Sequence, residues 1–289
     1  MKWEDATVHE ASVPQGTIRY RELGTGEPIV FVHGFLNNGL LWRKVAPELA
    51  RDFRVIVPDW PLGSHELPVH EGTDLTLPGL ARIVAGFLDA LELENVTLVG
   101  NDTGGAVCQV VAVEHPKRLG RLVLTPCDAY DNFLPALFKP LQLAGRIPGA
   151  IFLVGQSLRP RFARRLPIAF GWLAKHGIPD EVTDAYLTPA LGDKRIRRDV
   201  ATILKGISNR YTRQAAERFG EFDRPVLVVW ATEDKVFPLR YGERLAGDFP
   251  DARLERVEDS YTYVSEDQPA RTAELIGAFA REPAPAPAA

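Results

Sequence analysis

The 289-residue sequence contains only two cysteines, Cys108 and Cys127, and their spacing is not that of paired metal ligands. Cys108 falls within a predicted helix and Cys127 at the end of a predicted strand, so both are expected to be small buried hydrophobes. The sequence also lacks a dinucleotide-type glycine run and a cluster of metal-ligand residues. We therefore expect neither a cofactor nor a metal, and a reducing cytoplasmic setting.

Long apolar runs and a strong excess of one charge are also missing. The longest apolar runs, such as Val226–Ala231, have the length of strands rather than of a membrane span. The amino end, residues 1–5, does not look like a signal peptide. A net charge of −4 gives no reason to expect nucleic acid or a membrane surface as partner. The expected partner is a small-molecule substrate, and the expected state is a monomer or homodimer.

Strand-like and helix-like segments alternate through the first part of the sequence. The β-branched run Pro28–Val32 suits a strand buried on both faces, and Leu75–Leu91 has apolar residues close to a 3.6-residue period. Such alternation favours right-handed crossovers, a mostly parallel sheet and helices on both faces. The other predicted core elements are Val8–Val13, Thr17–Leu23, Leu41–Leu49, Phe53–Val57, Asn95–Val99, Gly104–His115, Gly120–Leu124, Pro225–Trp230, Arg253–Val257 and Pro269–Ala280.

This alternation stops in the middle of the chain. Residues 128–216 have no strand-like runs, only apolar-periodic segments interrupted by prolines, which predicts an inserted helical cap. The core domain would comprise residues 1–127 and 217–282. The Pro/Ala-rich tail, residues 283–289, is predicted to be disordered. The basic run Lys194–Arg198 within the insertion is interpreted as a solvated helix face.

The segment Gly100-Asn101-Asp102-Thr103-Gly104 lies between a predicted strand and a predicted helix. An elbow that presents one side chain above a sheet needs strained backbone angles there and small residues two positions away on either side. Gly100 and Gly104 meet that requirement, and the presented residue is Asp102. A carboxylate can displace a leaving group at an sp³ carbon and form an alkyl ester. Alternatively, Asp102 only caps the following helix.

Four motifs, in order, resemble the α/β-hydrolase superfamily over nearly the whole chain. They are Phe31–Phe35, similar to the oxyanion loop; Asp59–His65, similar to the turn after the fourth strand; Gly100–Gly105, similar to the Asp-nucleophile elbow of epoxide hydrolases and haloalkane dehalogenases; and Trp230–Pro238, similar to the acid loop. The resemblance implies the α/β-hydrolase fold with an inserted helical cap.

The resemblance also implies roles for individual residues. Asp102 would be the nucleophile, and Asp234 would be the carboxylate that orients a base. The backbone N–H groups of Phe35 and Thr103 would form the oxyanion hole. Residues expected to contact the substrate are His33, Trp42, Asp128 and Tyr130.

The catalytic histidine of this superfamily is missing here. The stretch between the last predicted strand and the last predicted helix, residues 257–269, contains no His, and Thr262 stands at the position of the base. A threonine hydroxyl does not titrate near neutrality, so Thr262 is no general base. Two substitutes are conceivable: a displaced base at His65, or carboxylates at Asp128 and Asp131 that share a proton with Asp102.

Three functions remain open at this stage. The first is an epoxide hydrolase-like enzyme acting on a small, mainly apolar molecule through Asp102, with Tyr130, Tyr186 and Tyr211 available as acids. The second is a non-hydrolytic cyclase, lyase or isomerase that uses Asp102 as acid or base. The third is a degenerate ligand-binding protein. Dehalogenation is disfavoured, because Thr103 and Phe35 replace the Trp and Asn usual in dehalogenases.

Overall fold

The computed structural model describes residues 1–282. The tail predicted to be disordered, residues 283–289, lies outside the described residues. Within residues 1–282, no helix combines the length and apolar character needed to cross a membrane.

Eight strands form a single sheet in the order β1-β2-β4-β3-β5-β6-β7-β8. The pairs β1–β2 and β2–β4 are antiparallel, and all other neighbours are parallel, which confirms the predicted mostly parallel sheet. The strands are β1 (Thr7–Val13), β2 (Gly16–Leu23), β3 (Pro28–Val32), β4 (Arg54–Pro58), β5 (Val96–Asp102), β6 (Leu119–Cys127), β7 (Val226–Ala231) and β8 (Ala252–Val257).

The central strands are buried on both faces. Every residue of β6 and β7 is buried, and so are the last four residues of β3, because helices cover both sides of the sheet. The four longer core helices are α2 (Leu77–Ala90), α3 (Thr103–Glu114), α10 (Leu239–Asp248) and α12 (Pro269–Ala280), and a short α11 (Val264–Asp267) precedes the last of them.

One predicted helix, Leu41–Leu49, is divided in two. A 3₁₀ turn spans Gly39–Trp42, and a separate short helix α1 spans Ala46–Leu49. Pro47 lies in the first turn of α1, where its missing N–H costs nothing. In a continuous helix, the ring of Pro47 would collide with the carbonyl of Arg43, so the helix restarts instead.

Between β6 and β7 the described residues form helices, short turns and one isolated bridge between Ala129 and Asn132. We call residues 128–216 the helical insertion. Its helices are α4 (Lys139–Ala144), α5 (Ala150–Ser157), α6 (Arg161–Arg164), α7 (Asp180–Gly192), α8 (Lys194–Gly206) and α9 (Asn209–Ala216), with a kinked turn at Pro167–Gly171.

Candidate active site

Asp102 occupies the sharp turn between β5 and α3. It is the last residue of the strand, and the helix begins at Thr103. Its backbone has φ +54° and ψ −132°, a strained conformation that non-glycine residues rarely adopt. The turn directs the Asp102 side chain away from the sheet and towards the helical insertion.

Close backbone approach at this turn depends on glycine. A Cβ atom at Gly104 would lie 2.3 Å from the carbonyl oxygen of His33, and one at Gly34 would lie 2.1 Å from Asp102 Oδ2. Both distances are far below van der Waals contact. The glycines therefore let β3, β5 and α3 converge around the Asp102 carboxylate.

Two backbone donors face the carboxylate of Asp102. The N–H of Phe35 donates to Oδ2 at 3.2 Å, and the N–H of Thr103 also donates to the carboxylate. Burial nevertheless dominates and raises the pKa of Asp102 to about 7, with the nearby charge of Asp234 acting in the same direction. Asp102 therefore populates both its neutral and its ionised form near neutral pH.

Asp234 and Thr262 are brought together as the motif order predicts. The Thr262 hydroxyl donates to Asp234 Oδ1 at 3.0 Å, and the same oxygen accepts the N–H groups of Val236 and Phe237 at 2.7 and 2.8 Å. Burial raises the pKa of Asp234 to about 7 despite these donors. Asp234 Oδ2 is buried and has no hydrogen-bond partner among the described residues.

Asp128 lies beneath the elbow rather than on its open side. It is fully buried, and its Oδ2 accepts the hydroxyl of Thr103 at 3.0 Å. Thr103 thus bridges two carboxylates, since its N–H donates to Asp102. Burial and the charge of Asp102 raise the pKa of Asp128 well above its usual range. Asp128, which the sequence analysis expects to contact the substrate, does not line the cavity above Asp102.

A cavity of about 300 Å³ lies above Asp102. Its polar side chains are Asp102 and Thr103 at one end and Ser157 elsewhere, and most of its wall comes from apolar residues of the helical insertion. Within residues 1–282, no group of three His, Cys, Asp or Glu side chains is placed to hold a metal ion. The apolar lining residues are Phe35, Leu36, Leu134, Leu137, Phe138, Pro140, Leu141, Ala144, Val154, Leu158, Ile168, Ala169, Phe170, Leu173 and Leu187.

His33, which the sequence analysis expects to contact the substrate, does not line the cavity. The ring is fully buried, with Nδ1 at 2.9 Å from the carbonyl of Gly34 and Nε2 accepting the N–H of Trp60 at 2.9 Å. Burial lowers the pKa of His33 to about 4, so the imidazole is neutral. The ring therefore joins the loop after β3 to the loop after β4.

His65 does not supply a displaced base for Asp102. Its Nδ1 accepts the N–H of Gly63 at 3.2 Å, and its Nε2 lies 3.2 Å from Asp199 Oδ2 on α8. The ring is buried. Both ring nitrogens are therefore engaged in fastening the loop after β4 to the helical insertion.

Trp42 and Tyr130, which the sequence analysis also expects to contact the substrate, pack elsewhere in the core. Trp42 is buried against Phe31, with ring centroids 4.5 Å apart. Tyr130 is buried and donates its hydroxyl to Asp248 at 2.8 Å. Asp131, the other suggested carboxylate, is exposed and accepts the hydroxyl of Tyr241 at 3.3 Å. None of the three lines the cavity.

Two asparagines that the sequence analysis did not single out help to assemble the site. The Nδ2 of Asn101 donates to the hydroxyl of Thr125 at 2.8 Å and to the carbonyl of Thr262 at 2.9 Å, which anchors the Thr262 loop beneath the elbow. The Nδ2 of Asn37 donates to the hydroxyl of Tyr263 at 2.9 Å. The sequence signal that could have found Asn101 is an amide side chain directly before Asp102, at the end of the mostly apolar strand β5.

The parallel sheet, the strained elbow and the loops around it define an α/β-hydrolase architecture. The chain belongs to the alpha/beta hydrolase fold family, whose sequence profile matches residues 27–158 and 173–269. Its curated relatives include haloalkane dehalogenase 2 of Mycobacterium bovis, which is 28% identical over 270 residues and covers 91% of each chain.

Two further comparisons have a similar extent. A 2-hydroxy-6-oxononadienedioate/2-hydroxy-6-oxononatrienedioate hydrolase of Cupriavidus pinatubonensis is 28% identical over 263 residues, with 87% of each chain covered. The solved structure of the epoxide hydrolase CorEH superposes with a TM-score of 0.77 at 20% identity, covering 93% of this chain and 96% of that one. The structural likeness supports the fold.

Proposed function

We propose that this protein is a non-hydrolytic enzyme of the α/β-hydrolase fold, in which Asp102 transfers a proton to or from a small, mainly apolar molecule. Isomerisation, elimination and cyclisation are the reaction types of this class. The single observation that carries the proposal is the contact between Thr262 and Asp234: the carboxylate that we assign to orienting a base accepts a hydroxyl group, which does not titrate near neutrality.

The six histidines support this interpretation. None of them lines the cavity or hydrogen-bonds to Asp102 within the described residues. An alkyl ester formed on Asp102 would therefore have no neutral imidazole to activate water for its hydrolysis. Such an ester would trap the enzyme after one turnover.

The raised pKa of Asp102 suits proton transfer better than nucleophilic attack. A general acid or base works best when its pKa lies near the working pH, and the pKa of Asp102 is raised to about 7. The N–H groups of Phe35 and Thr103 hold the carboxylate in one orientation towards the cavity. The apolar wall favours a substrate with few polar groups.

The experiment uses hydrogen isotopes. Small apolar molecules that raise the melting temperature of the protein are incubated with it in D₂O, and the recovered compounds are examined by mass spectrometry. An isomerisation is expected to leave solvent deuterium in the product, an elimination or cyclisation is expected to give a product without added water, and Asp102→Asn is expected to lower the rate by about 10²- to 10⁴-fold. Asp131→Asn is the matched control, because Asp131 is exposed and lies off the cavity. A product that has gained the elements of water, or a turnover rate unaffected by Asp102→Asn, would overturn the proposal.

A second candidate is an epoxide hydrolase-like function with Asp102 as nucleophile. The strained backbone at Asp102 and the two N–H donors favour it, since the same pair would stabilise the oxyanion formed during ester hydrolysis. This candidate predicts that aliphatic epoxides are converted to diols with many turnovers per enzyme molecule. Failure of diol formation, with epoxides shown to bind, would exclude it.

A further inference from the structure

The large exposed apolar side chains are strongly concentrated in one part of the molecule. Of the ten that are exposed in the described residues, eight lie between positions 143 and 172 of the helical insertion. Phe162 is 73% exposed and Leu153 67%, and Trp172 is also exposed. The remaining members are Leu143, Ile147, Phe152, Leu166 and Ile168. An exposed apolar cluster of this kind marks an interaction site.

The charged side chains in the segment that carries this cluster are positive. Residues 132–179 contain no Asp or Glu, and they contain seven cations: Lys139, Arg146, Arg159, Arg161, Arg164, Arg165 and Lys175. Asp180 and Asp184 on α7 pair with Arg161, Arg164 and Arg165. Among the ion pairs of the described residues, none involves Lys139, Arg146 or Arg159.

Helix α8 adds further positive charge beside the apolar side chains. A groove of about 290 Å³ is lined by Arg146, Ile147 and Phe152 together with Lys194, Arg197 and Lys205, and no acidic side chain lines it. The guanidinium carbon of Arg197 lies 5.2 Å from the centroid of the Phe152 ring. We call the eight exposed apolar residues and the cations Lys139, Arg146, Arg159, Lys194, Arg197 and Lys205 the basic apolar face.

This face is continuous with the cavity above Asp102. Ile168 is 55% exposed and also lines the cavity, as do Val154 and Leu158, which flank exposed positions on α5. Ile168 therefore belongs both to the basic apolar face and to the wall of the cavity above Asp102.

We propose that the basic apolar face binds the surface of an anionic lipid bilayer, from which apolar molecules enter the cavity beside Ile168. Aromatic and aliphatic side chains lie at the headgroup boundary in such binding, and Lys and Arg contact the anionic headgroups. The net charge of −4 led to the opposite expectation, because that sum conceals residues 132–179, which contain seven cations and no Asp or Glu.

Charge favours a bilayer over a second copy of the chain. In a symmetric dimer the same surface meets itself, so the six cations of one face would oppose the six of the other. An anionic bilayer instead offers complementary charge and an apolar layer directly below it. Since no helix of the described residues is able to span the membrane, the association is peripheral.

The test is co-sedimentation of the full chain with vesicles of phosphatidylcholine alone and of phosphatidylcholine mixed with phosphatidylglycerol. Binding is expected only to the anionic vesicles, and it should weaken in about 1 M salt, where charges are screened within about 3 Å. Arg146→Glu/Lys194→Glu should lower the partition coefficient by about 25-fold or more, since each lost cation accounts for about fivefold. Leu153→Glu/Phe162→Glu should abolish binding.

The matched control is Val8→Glu/Lys117→Glu, which changes an exposed apolar residue and an exposed cation outside the face and should bind as the wild type does. Independently of these variants, brominated lipids should quench tryptophan emission in the wild type but much less in Trp172→Phe. The proposal is overturned if anionic vesicles leave the wild type in solution, if neutral vesicles bind equally, or if the face variants bind like the control. If the wild type is a dimer that does not bind vesicles, and Leu153→Glu/Phe162→Glu is a monomer, the basic apolar face is instead an interface between two copies of the chain.

Discussion

The hydroxyl of Thr262 donates to Asp234 at 3.0 Å, so the carboxylate that would orient a catalytic histidine instead holds a group that cannot act as a base. The second oxygen of Asp234 remains buried without a partner among the described residues. All three hydrogen bonds that Asp234 accepts within residues 1–282 are to Oδ1, so the desolvation of Oδ2 is not compensated. Its raised pKa, and part of the raised pKa of Asp102, follow from this arrangement.

The titration of these carboxyl groups is the first prediction. In protein labelled with ¹³C at aspartate carboxyl carbons, two resonances should titrate near pH 7, and they should be assigned to Asp102 and Asp234 by their loss in Asp102→Asn and Asp234→Asn. Asp234→Asn should also lower the pKa of Asp102, because it removes a repelling charge. Asp131→Asn should leave both resonances in place. Titration of Asp102 near pH 4 would contradict this prediction.

The second prediction concerns the pH dependence of stability. An Asp with an unfolded pKa near 3.9 and a folded pKa of about 7 retains its proton only in the folded state between those values. Unfolding then releases a proton, so the free energy of unfolding falls with rising pH, by about 1.4 kcal/mol per pH unit for each such group.

Asp234→Asn removes one of these groups, and the amide oxygen can still accept the N–H groups of Val236 and Phe237. The decline in the free energy of unfolding between pH 4 and 7 should therefore be shallower in the variant. Urea denaturation at a series of pH values measures it. Parallel curves for the wild type and Asp234→Asn would show that Asp234 is already ionised at pH 4 in the folded state.

The third prediction is that His65 stabilises the fold and does not act on Asp102. His65→Ala removes the contact with Asp199, while Asp199 keeps its hydrogen bonds to the N–H of Val69 and to Arg198. The variant should lose about 1–3 kcal/mol of stability and leave the titration of Asp102 unchanged. His70→Ala, at an exposed position, is the control and should change stability little. Unchanged stability in His65→Ala together with a shifted Asp102 resonance would favour a catalytic role.

The fourth prediction concerns an imidazole introduced beside Asp234. Thr262→His should place an imidazole beside Asp234 and give slow conversion of aliphatic epoxides to diols, which the wild type lacks. Because Thr262 is fully buried, the larger side chain should cost about 1–3 kcal/mol of stability. The added Asp102→Asn should abolish the new activity. Diol formation by the wild type at the same rate as by the variant would contradict the prediction.

Much of the fold was predictable because buried parallel strands and amphipathic helices leave clear local patterns. Pro28–Val32 and Pro269–Ala280 have the predicted bounds, whereas β5 continues three residues beyond Val99, to Asp102 itself. The prediction of one helix over Leu41–Leu49 was wrong, because Pro47 interrupts the helix that the apolar pattern indicates.

The site was predictable only where backbone geometry constrains residue type. The glycines around Asp102 require close packing, and this requirement is visible in the sequence. The burial of His33, Trp42 and Tyr130 depends on contacts with distant segments, which periodicity does not reveal. The cavity wall combines residues from several short helices of the insertion, so no local pattern identifies it.

The most direct measurement is whether oxygen from water enters the carboxyl group of Asp102. Wild-type protein is incubated with aliphatic epoxides in H₂¹⁸O, and the intact protein and the peptide containing Asp102 are weighed by mass spectrometry. Thr262→His serves as the control that epoxides reach the carboxylate. If Asp102 only transfers protons, the wild-type peptide acquires no ¹⁸O and the intact protein no adduct. An ester adduct or ¹⁸O at Asp102 in the wild type, absent in Asp102→Asn, would instead establish a nucleophile and contradict the proposed function.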